Sequence, residues 1–182
     1  ELPTVQEILT KAGEDQQIIE SVMKLHNGFS SKIAPRIKSP WMLKYLMWNN
    51  VMCYGANNFV HFGECKGLSS IVGNNRSGKS TVLDIVILIL FDIYVRGNKN
   101  FIINSGAKTA SIKCLITSSH DTYIIERIFG NTGKNQRCVL TKNGTVVLDK
   151  SNRDIPEVYS MLKSVVGTYQ DFICTSGALQ NR

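Results

Sequence analysis

Ile71-Val72-Gly73-Asn74-Asn75-Arg76-Ser77-Gly78-Lys79-Ser80-Thr81-Val82-Leu83-Asp84-Ile85 is the stretch whose reading decides the fold. Gly73, Gly78, Lys79 and Ser80 fill every fixed position of G-x-x-x-x-G-K-S/T, a loop that wraps phosphates. The surroundings suit that motif. The apolar run Gly67 to Val72 predicts a short strand feeding the loop, and residues 79–95 predict one long helix leaving it. That helix is apolar nearly all round, which predicts burial between layers. Each residue type has a physical task. Backbone N–H groups over 75–80 and the positive end of the helix dipole favour an anion. Gly78 lets the backbone approach the ligand. Lys79 sets a positive charge against the β- and γ-phosphates, and Ser80 offers a hydroxyl to Mg²⁺. The residues predicted to hold the nucleotide, ATP with Mg²⁺, are therefore Asn75, Arg76, Ser77, Gly78, Lys79, Ser80 and Thr81.

Upstream of the loop, Met42 to Val51 and Asn57 to Phe62 read as strands separated by a turn. Downstream, 96–110 reads as loop. Ser111 to Thr117 and Tyr123 to Phe129 read as strands flanking a turn, and Asn143-Gly144 marks a hairpin between 136–141 and 145–148. Asp154 to Val166 reads as a helix with Pro156 in its first turn. Residues 4–28 read as helical with a break near Gly13–Glu14, with Thr4 as a cap and Asn27-Gly28 as the end. Residues 29–40, with Pro35, Pro40, Lys32, Arg36 and Lys38, have the composition of a linker. The organisation expected is a helical extension over 1–40 and one domain over 41–182.

The bulk numbers bound the function classes. With 43% hydrophobic and 19% charged residues, the 182-residue chain can bury a sizeable core. A net charge of +7, from 21 Lys and Arg against 14 Asp and Glu, suits polyanionic partners. Cys53, Cys65, Cys114, Cys138 and Cys174 are odd in number and form no CxxC pair, so a disulfide framework or zinc site is not expected. A reducing, intracellular compartment is expected, the nucleus in a eukaryote. The apolar run Val82 to Val95 is broken by Asp84 and Asp92 and is too short to span a bilayer, so no membrane partner is expected. A chain starting at Glu1 reads as a piece of a larger protein.

A phosphate loop alone does not choose among kinases, GTPases and ATPases. Hydrolysis also needs an acidic residue at a strand end. Outside the predicted long helix, the one apolar run that ends in Asp, Val146-Val147-Leu148-Asp149, sits in the hairpin and is followed by Lys150. The catalytic half of a complete site is therefore expected to lie elsewhere.

Three runs then carry a family likeness: Asn49-Asn50-Val51-Met52-Cys53-Tyr54, Phe59-Val60-His61-Phe62-Gly63, and Gly67 through Thr81 with Leu83-Asp84. From about Trp41 onward the chain resembles the N-terminal ATPase lobe of the SMC (structural maintenance of chromosomes) superfamily. The nearest branch is the double-strand-break repair ATPase that works with an Mre-type nuclease, SbcC in bacteria. The resemblance implies an α/β fold: the N-terminal lobe of an ABC-type P-loop ATPase, with a mixed sheet around one buried helix and an antiparallel β subdomain. It implies that the lobe ends in a Q-loop, here Phe172-Ile173-Cys174-Thr175-Ser176-Gly177-Ala178-Leu179-Gln180. Gln180 is the matching Gln, a metal and water ligand, and joins Lys79 as a catalytic residue. It implies a C-terminal lobe, on this or another chain, that carries the signature Ser and the acidic residues, and a second head. It further implies DNA as a partner, with Arg96, Lys99, Lys108, Lys113, Lys134 and Arg137 as backbone contacts.

Two departures stand out. Arg76 replaces the family's usual Gly, which calls for a negative φ or tolerated strain. Met52-Cys53-Tyr54 replaces an Arg-Ser-His stretch near the base, where Tyr54 either stacks on adenine or belongs to the core. Two other readings remain at this point: a complete small P-loop kinase or GTPase, and a non-catalytic DNA-clamp scaffold.

Overall fold

The computed structural model describes residues 10–13, 15–30, 40–65, 69–96, 101–130 and 136–175. The chain divides into two compact units, Glu1–Lys38 and Ser39–Arg182. In the first, α1 spans Gln16–Ser30 and so runs past the Asn27-Gly28 expected to end it. Asp15 starts it: its carboxylate accepts the Gln17 N–H at 3.2 Å, satisfying one of the donors a helix start leaves unpaired. The expected cap at Thr4 and the linker over 31–39 lie outside the described residues.

The second unit is built on a six-stranded sheet of order β2-β1-β3-β4-β5-β6. Its strands are β1 Trp41–Asn49, β2 Asn58–Val60, β3 Thr109–Ser118, β4 Asp121–Gly130, β5 Arg137–Lys142 and β6 Thr145–Ser151. Every described pair is antiparallel. The turns are chemically specified. Asn143 and Gly144 hold φ of 50° and 82°, the left-handed pair a two-residue hairpin loop needs. Alternation sets one face inward. Leu46 and Trp48 of β1, Ile112, Cys114 and Ile116 of β3, Ile125 and Phe129 of β4, and Cys138 and Leu140 of β5 are all buried.

Two helices cover that face. α2, Lys79–Phe91, packs on β3, and α3, Pro156–Val166, packs on α2, β5 and β6. In α2 every residue from Ile85 to Leu90 is buried, so the all-round apolarity does mark an enclosed helix. It ends at Phe91, four residues short of the expected run to 95, and Asp92 after it turns left-handed at φ 55°. Arg127 of β4 secures that end. It is 2% exposed, lies 3.6 Å from Asp92 and donates to Gln136 Oε1 at 2.9 Å. A buried cation at the carbonyl end of a helix complements its dipole. A short α4, Tyr169–Thr175, follows. Thr168 and Asp171 cap it reciprocally: the Asp171 N–H donates to Thr168 Oγ1 at 3.1 Å, and the Thr168 N–H to Asp171 Oδ2 at 3.0 Å.

One expected strand does not form over its described residues. Residues 69–72 pair with no strand, and Ile71 and Val72 stand 58% and 89% exposed. The apolar run reads as a short strand feeding the loop. Here the hydrogen-bonding sheet ends at β2, and the described chain offers no neighbour to pair with 69–72.

The cysteines fall into two classes. Cys53, Cys65 and Cys174 are exposed, while Cys114 and Cys138 are buried. Burial pushes the Cys138 thiol up to about 11 and Cys114 well above its ordinary value, so both are unreactive at neutral pH. No helix among the described residues is long and apolar enough to cross a membrane.

Candidate functional site

The loop of residues 73–78 delivers the chain into the first turn of α2, and its geometry is set by two glycines and one lysine. Gly78 is the helix N-cap at φ 91°, ψ 6°, a left-handed conformation that side chains disfavour. A Cβ there would also sit 2.9 Å from Cys53 Sγ and 3.0 Å from Tyr54 Oη. At Gly73 a Cβ would meet Ser77 Oγ at 2.9 Å. Lys79 folds back across the loop, its Nζ donating to the carbonyls of Gly73 at 2.8 Å and Asn74 at 2.7 Å. The ammonium is thereby held inside the curve of the loop. Ser77 also turns inward, its N–H donating to Asn74 O at 3.2 Å.

These residues border a cavity of about 710 Å³, lined by Asn75, Arg76, Gly78, Lys79, Ser80 and Thr81 from the loop and α2, and by Met52, Cys53, Tyr94, Arg96 and Phe101. That volume lies in the range of small-molecule sites. Six of the seven residues expected to hold a nucleotide thus share one cavity wall. Thr81 contributes through its backbone position. Its side chain is buried, its N–H donates to Gly78 O at 2.8 Å, and its hydroxyl lies 3.8 Å from Cys53 Sγ. Gln180 lies outside the described residues.

The electrostatics of the cavity are cationic. Lys79, Arg76 and Arg96 line it, and none of its described lining residues carries a carboxylate. Asp84, one turn further along α2, is 6% exposed and bound to Arg96 Nε at 2.5 Å, which anchors the arginine at the cavity edge. Asp149 lies in β6 and is held by Arg137 through a two-pronged contact, with Nε to Oδ1 at 2.8 Å. The guanidinium holds that carboxyl below its ordinary value. Neither acid faces the loop as a free base.

Arg76 settles one departure noted in the sequence: it does not take a negative φ. It sits at φ 65°, a conformation that costs an L-residue about 1–2 kcal/mol. Replacing Arg76→Gly removes that strain but adds about 0.5–1 kcal/mol of glycine entropy. A net gain of about 0.5–1 kcal/mol follows, or a rise of about 1–4 °C in Tm. The same change removes a cavity-lining charge, which lowers triphosphate affinity about two- to fivefold. Calorimetry in the thermal and titration modes reads both, and the two effects have opposite sign.

Tyr54 settles the other. Its hydroxyl donates to Gly78 O at 3.0 Å, and its ring meets Trp48 edge-on at 5.2 Å. It is a strut beneath the loop. Tyr94 and Phe101 were not singled out from sequence, Met52 was noted only as part of the segment near the base, and Arg96 was read as a DNA-backbone contact. They reach the cavity through long-range packing, which periodicity does not report. Of the other basic residues proposed for DNA, Lys113 is paired with Glu126, Arg137 with Asp149, and Lys99 and Lys134 lie outside the described residues. Lys108 is exposed.

A phosphate loop at the head of a buried helix, backed by an antiparallel sheet, defines a P-loop nucleotide-binding α/β domain. A family model described as an AAA domain matches residues 46–175, and the chain belongs to that family. An uncharacterized protein of Acanthamoeba polyphaga mimivirus is 28% identical over 98% of this chain and 15% of its own length. A probable exonuclease subunit 2 of Escherichia phage T5 is 27% identical over 69% of this chain and 20% of its own. A DNA double-strand break repair Rad50 ATPase of Methanosarcina acetivorans is 30% identical over 71% of this chain and 12% of its own. The chain therefore spans between 12% and 20% of the length of these relatives. The domain is of the SMC/Rad50 type of ABC ATPase, as the motifs of the sequence imply.

Proposed function

We propose that the chain is the ATP-binding N-terminal lobe of a DNA-repair ATPase head, which holds ATP with Mg²⁺ and hydrolyses it only with a C-terminal lobe and a second head. The observation that carries the reading is the cavity at the start of α2, where Lys79, Ser80 and Arg76 converge on the helix N-terminus. The site fits a triphosphate on its own terms. The missing side chain at Gly78 lets Cys53 and Tyr54 pack against the loop from behind, and the Lys79 ammonium is bound by loop carbonyls that a more strongly charged phosphate can outcompete. In this reading Asn75, Arg76, Ser77, Gly78 and Lys79 surround the phosphates, Thr81 fixes the first helical turn, and Ser80 holds the metal with Gln180. Mg²⁺ supplies charge neutralisation and polarisation of the phosphate oxygens.

Two observations support an incomplete catalytic site. The cavity's described lining carries no carboxylate, the group the hydrolysis step needs at a strand end. The exposed Ile71–Val72 segment runs beside a groove lined by Trp48, Tyr54, Phe59, Val60 and Val82. An added strand from a C-terminal lobe would cover this apolar surface. The names of the Rad50 and phage relatives favour DNA and an Mre-type nuclease as further partners. A reducing, intracellular setting belongs to the same reading. So does the division into a helical extension over 1–40 and a lobe over 41–182.

The test is a turnover assay. The chain alone is expected to release phosphate from MgATP at background rate. Adding a C-terminal lobe in trans is expected to raise the rate at least tenfold. Robust turnover by the chain alone would instead favour a complete small P-loop enzyme.

A further inference from the structure

The phosphate end of the cavity is accounted for by the loop, but its opposite wall contains an aromatic side chain that core packing does not explain. Phe101 is 69% exposed and borders the same cavity as Lys79 and Ser80. It is not a loose surface residue. Its neighbour Ile102 is 2% exposed, and the Ile102 carbonyl accepts the Met52 N–H at 2.7 Å. Ile103 bridges to Val51, and Asn104 ties both sides of the contact: its N–H donates to Asn50 O at 2.9 Å and its Nδ2 to Met52 O at 2.9 Å. Residues 102–104 are thus bolted to 50–52, the segment that also supplies Met52 and Cys53 to the cavity. Ile102 turns into the core, and Phe101, in the 3-10 turn just before it, is left on the cavity side.

The other aromatic residues near the loop are committed. Tyr54 braces Gly78 from below, with its ring against Trp48. Tyr94 packs against the hydrophobic core, and burial raises its hydroxyl above the ordinary value. Phe101 alone among the three is largely exposed, and the residues that follow it, 102–104, are held to 50–52. Leaving an aromatic of that size in water costs apolar hydration that a ligand ring would relieve.

Resting on the reading of the cavity as a triphosphate site, we propose that Phe101 is the nucleobase platform of that site, stacking on the base while Lys79 and the loop hold the phosphates. A phenyl face offers no hydrogen-bond donor or acceptor, so it stacks on any base and separates nucleotides from bare phosphates rather than ATP from GTP. The residues beside the platform, 102–104, are already tied down, so binding does not have to order them.

The experiment is isothermal titration of the chain with MgATP, MgGTP and magnesium tripolyphosphate, for wild type, Phe101→Ala and Phe101→Trp. Phe101→Ala is expected to weaken both nucleotides about tenfold, with tripolyphosphate affinity held within about twofold, and Phe101→Trp to restore nucleotide affinity. Unchanged tripolyphosphate binding also reports an intact loop in the variant. If wild type binds MgATP and Phe101→Ala binds it equally well, the platform is overturned while the site stands. If Phe101→Ala weakens all three ligands alike, Phe101 acts on the phosphate loop and the platform is again overturned. If wild type binds neither nucleotide nor tripolyphosphate, the triphosphate site itself is overturned.

Discussion

Replacing Lys79→Ala is expected to lower MgATP affinity by about 30- to 150-fold, with the melting temperature nearly unchanged. The ammonium sits inside the loop, bonded to the carbonyls of Gly73 and Asn74. Charge-assisted contacts to phosphate contribute about 2–3 kcal/mol, and each 1.4 kcal/mol is a factor of about ten. The loop carbonyls it leaves behind belong to exposed residues, where water replaces the lost donor at little cost. Titration calorimetry reads the first effect and differential scanning the second. An unchanged affinity would mark the loop as vestigial and favour the scaffold reading.

Gly78→Ala is expected to damage both quantities. At φ 91° an alanine carries about 1–2 kcal/mol of backbone strain. Its Cβ also enters the space of Cys53 Sγ and Tyr54 Oη, at 2.9 and 3.0 Å, so the Tyr54 hydrogen bond to Gly78 O must lengthen. Together these come to about 2–3 kcal/mol, or a fall of about 5–10 °C in Tm for a chain of this size. Because Gly78 joins the loop to α2, any shift moves the Lys79 and Ser80 N–H groups as well, and MgATP affinity falls at least tenfold. The contrast between the two variants is the informative part. Lys79 provides charge, and Gly78 provides shape. A Gly78→Ala protein with wild-type Tm would show that the left-handed N-cap is not required.

What was legible in the sequence follows from range. The phosphate loop reads directly because its chemistry is local, with residue types fixed at fixed spacing. The enclosed α2 reads from an unbroken run of apolar residues, and the β5–β6 hairpin from Asn143-Gly144, since only such residues accept two successive positive φ angles. Residues 69–72 misled because an apolar run reports that a segment wants a partner, not that the chain supplies one. Arg127 could have been found: Tyr123, Ile125, Arg127 and Phe129 alternate inward, which places a cation among core residues. Phe101 and Arg96 could not. Their place in the cavity depends on Asn104, Met52 and Asp84 meeting across many residues of chain.

The central claim is that the cavity at the head of α2 is a metal-dependent ATP site. Titration of the chain with ATP in the presence and in the absence of Mg²⁺ tests it most directly. Saturable binding at one site per chain, weakened at least tenfold when Mg²⁺ is withheld, is the result predicted. No binding with Mg²⁺ present, or binding that Lys79→Ala leaves intact, would contradict it.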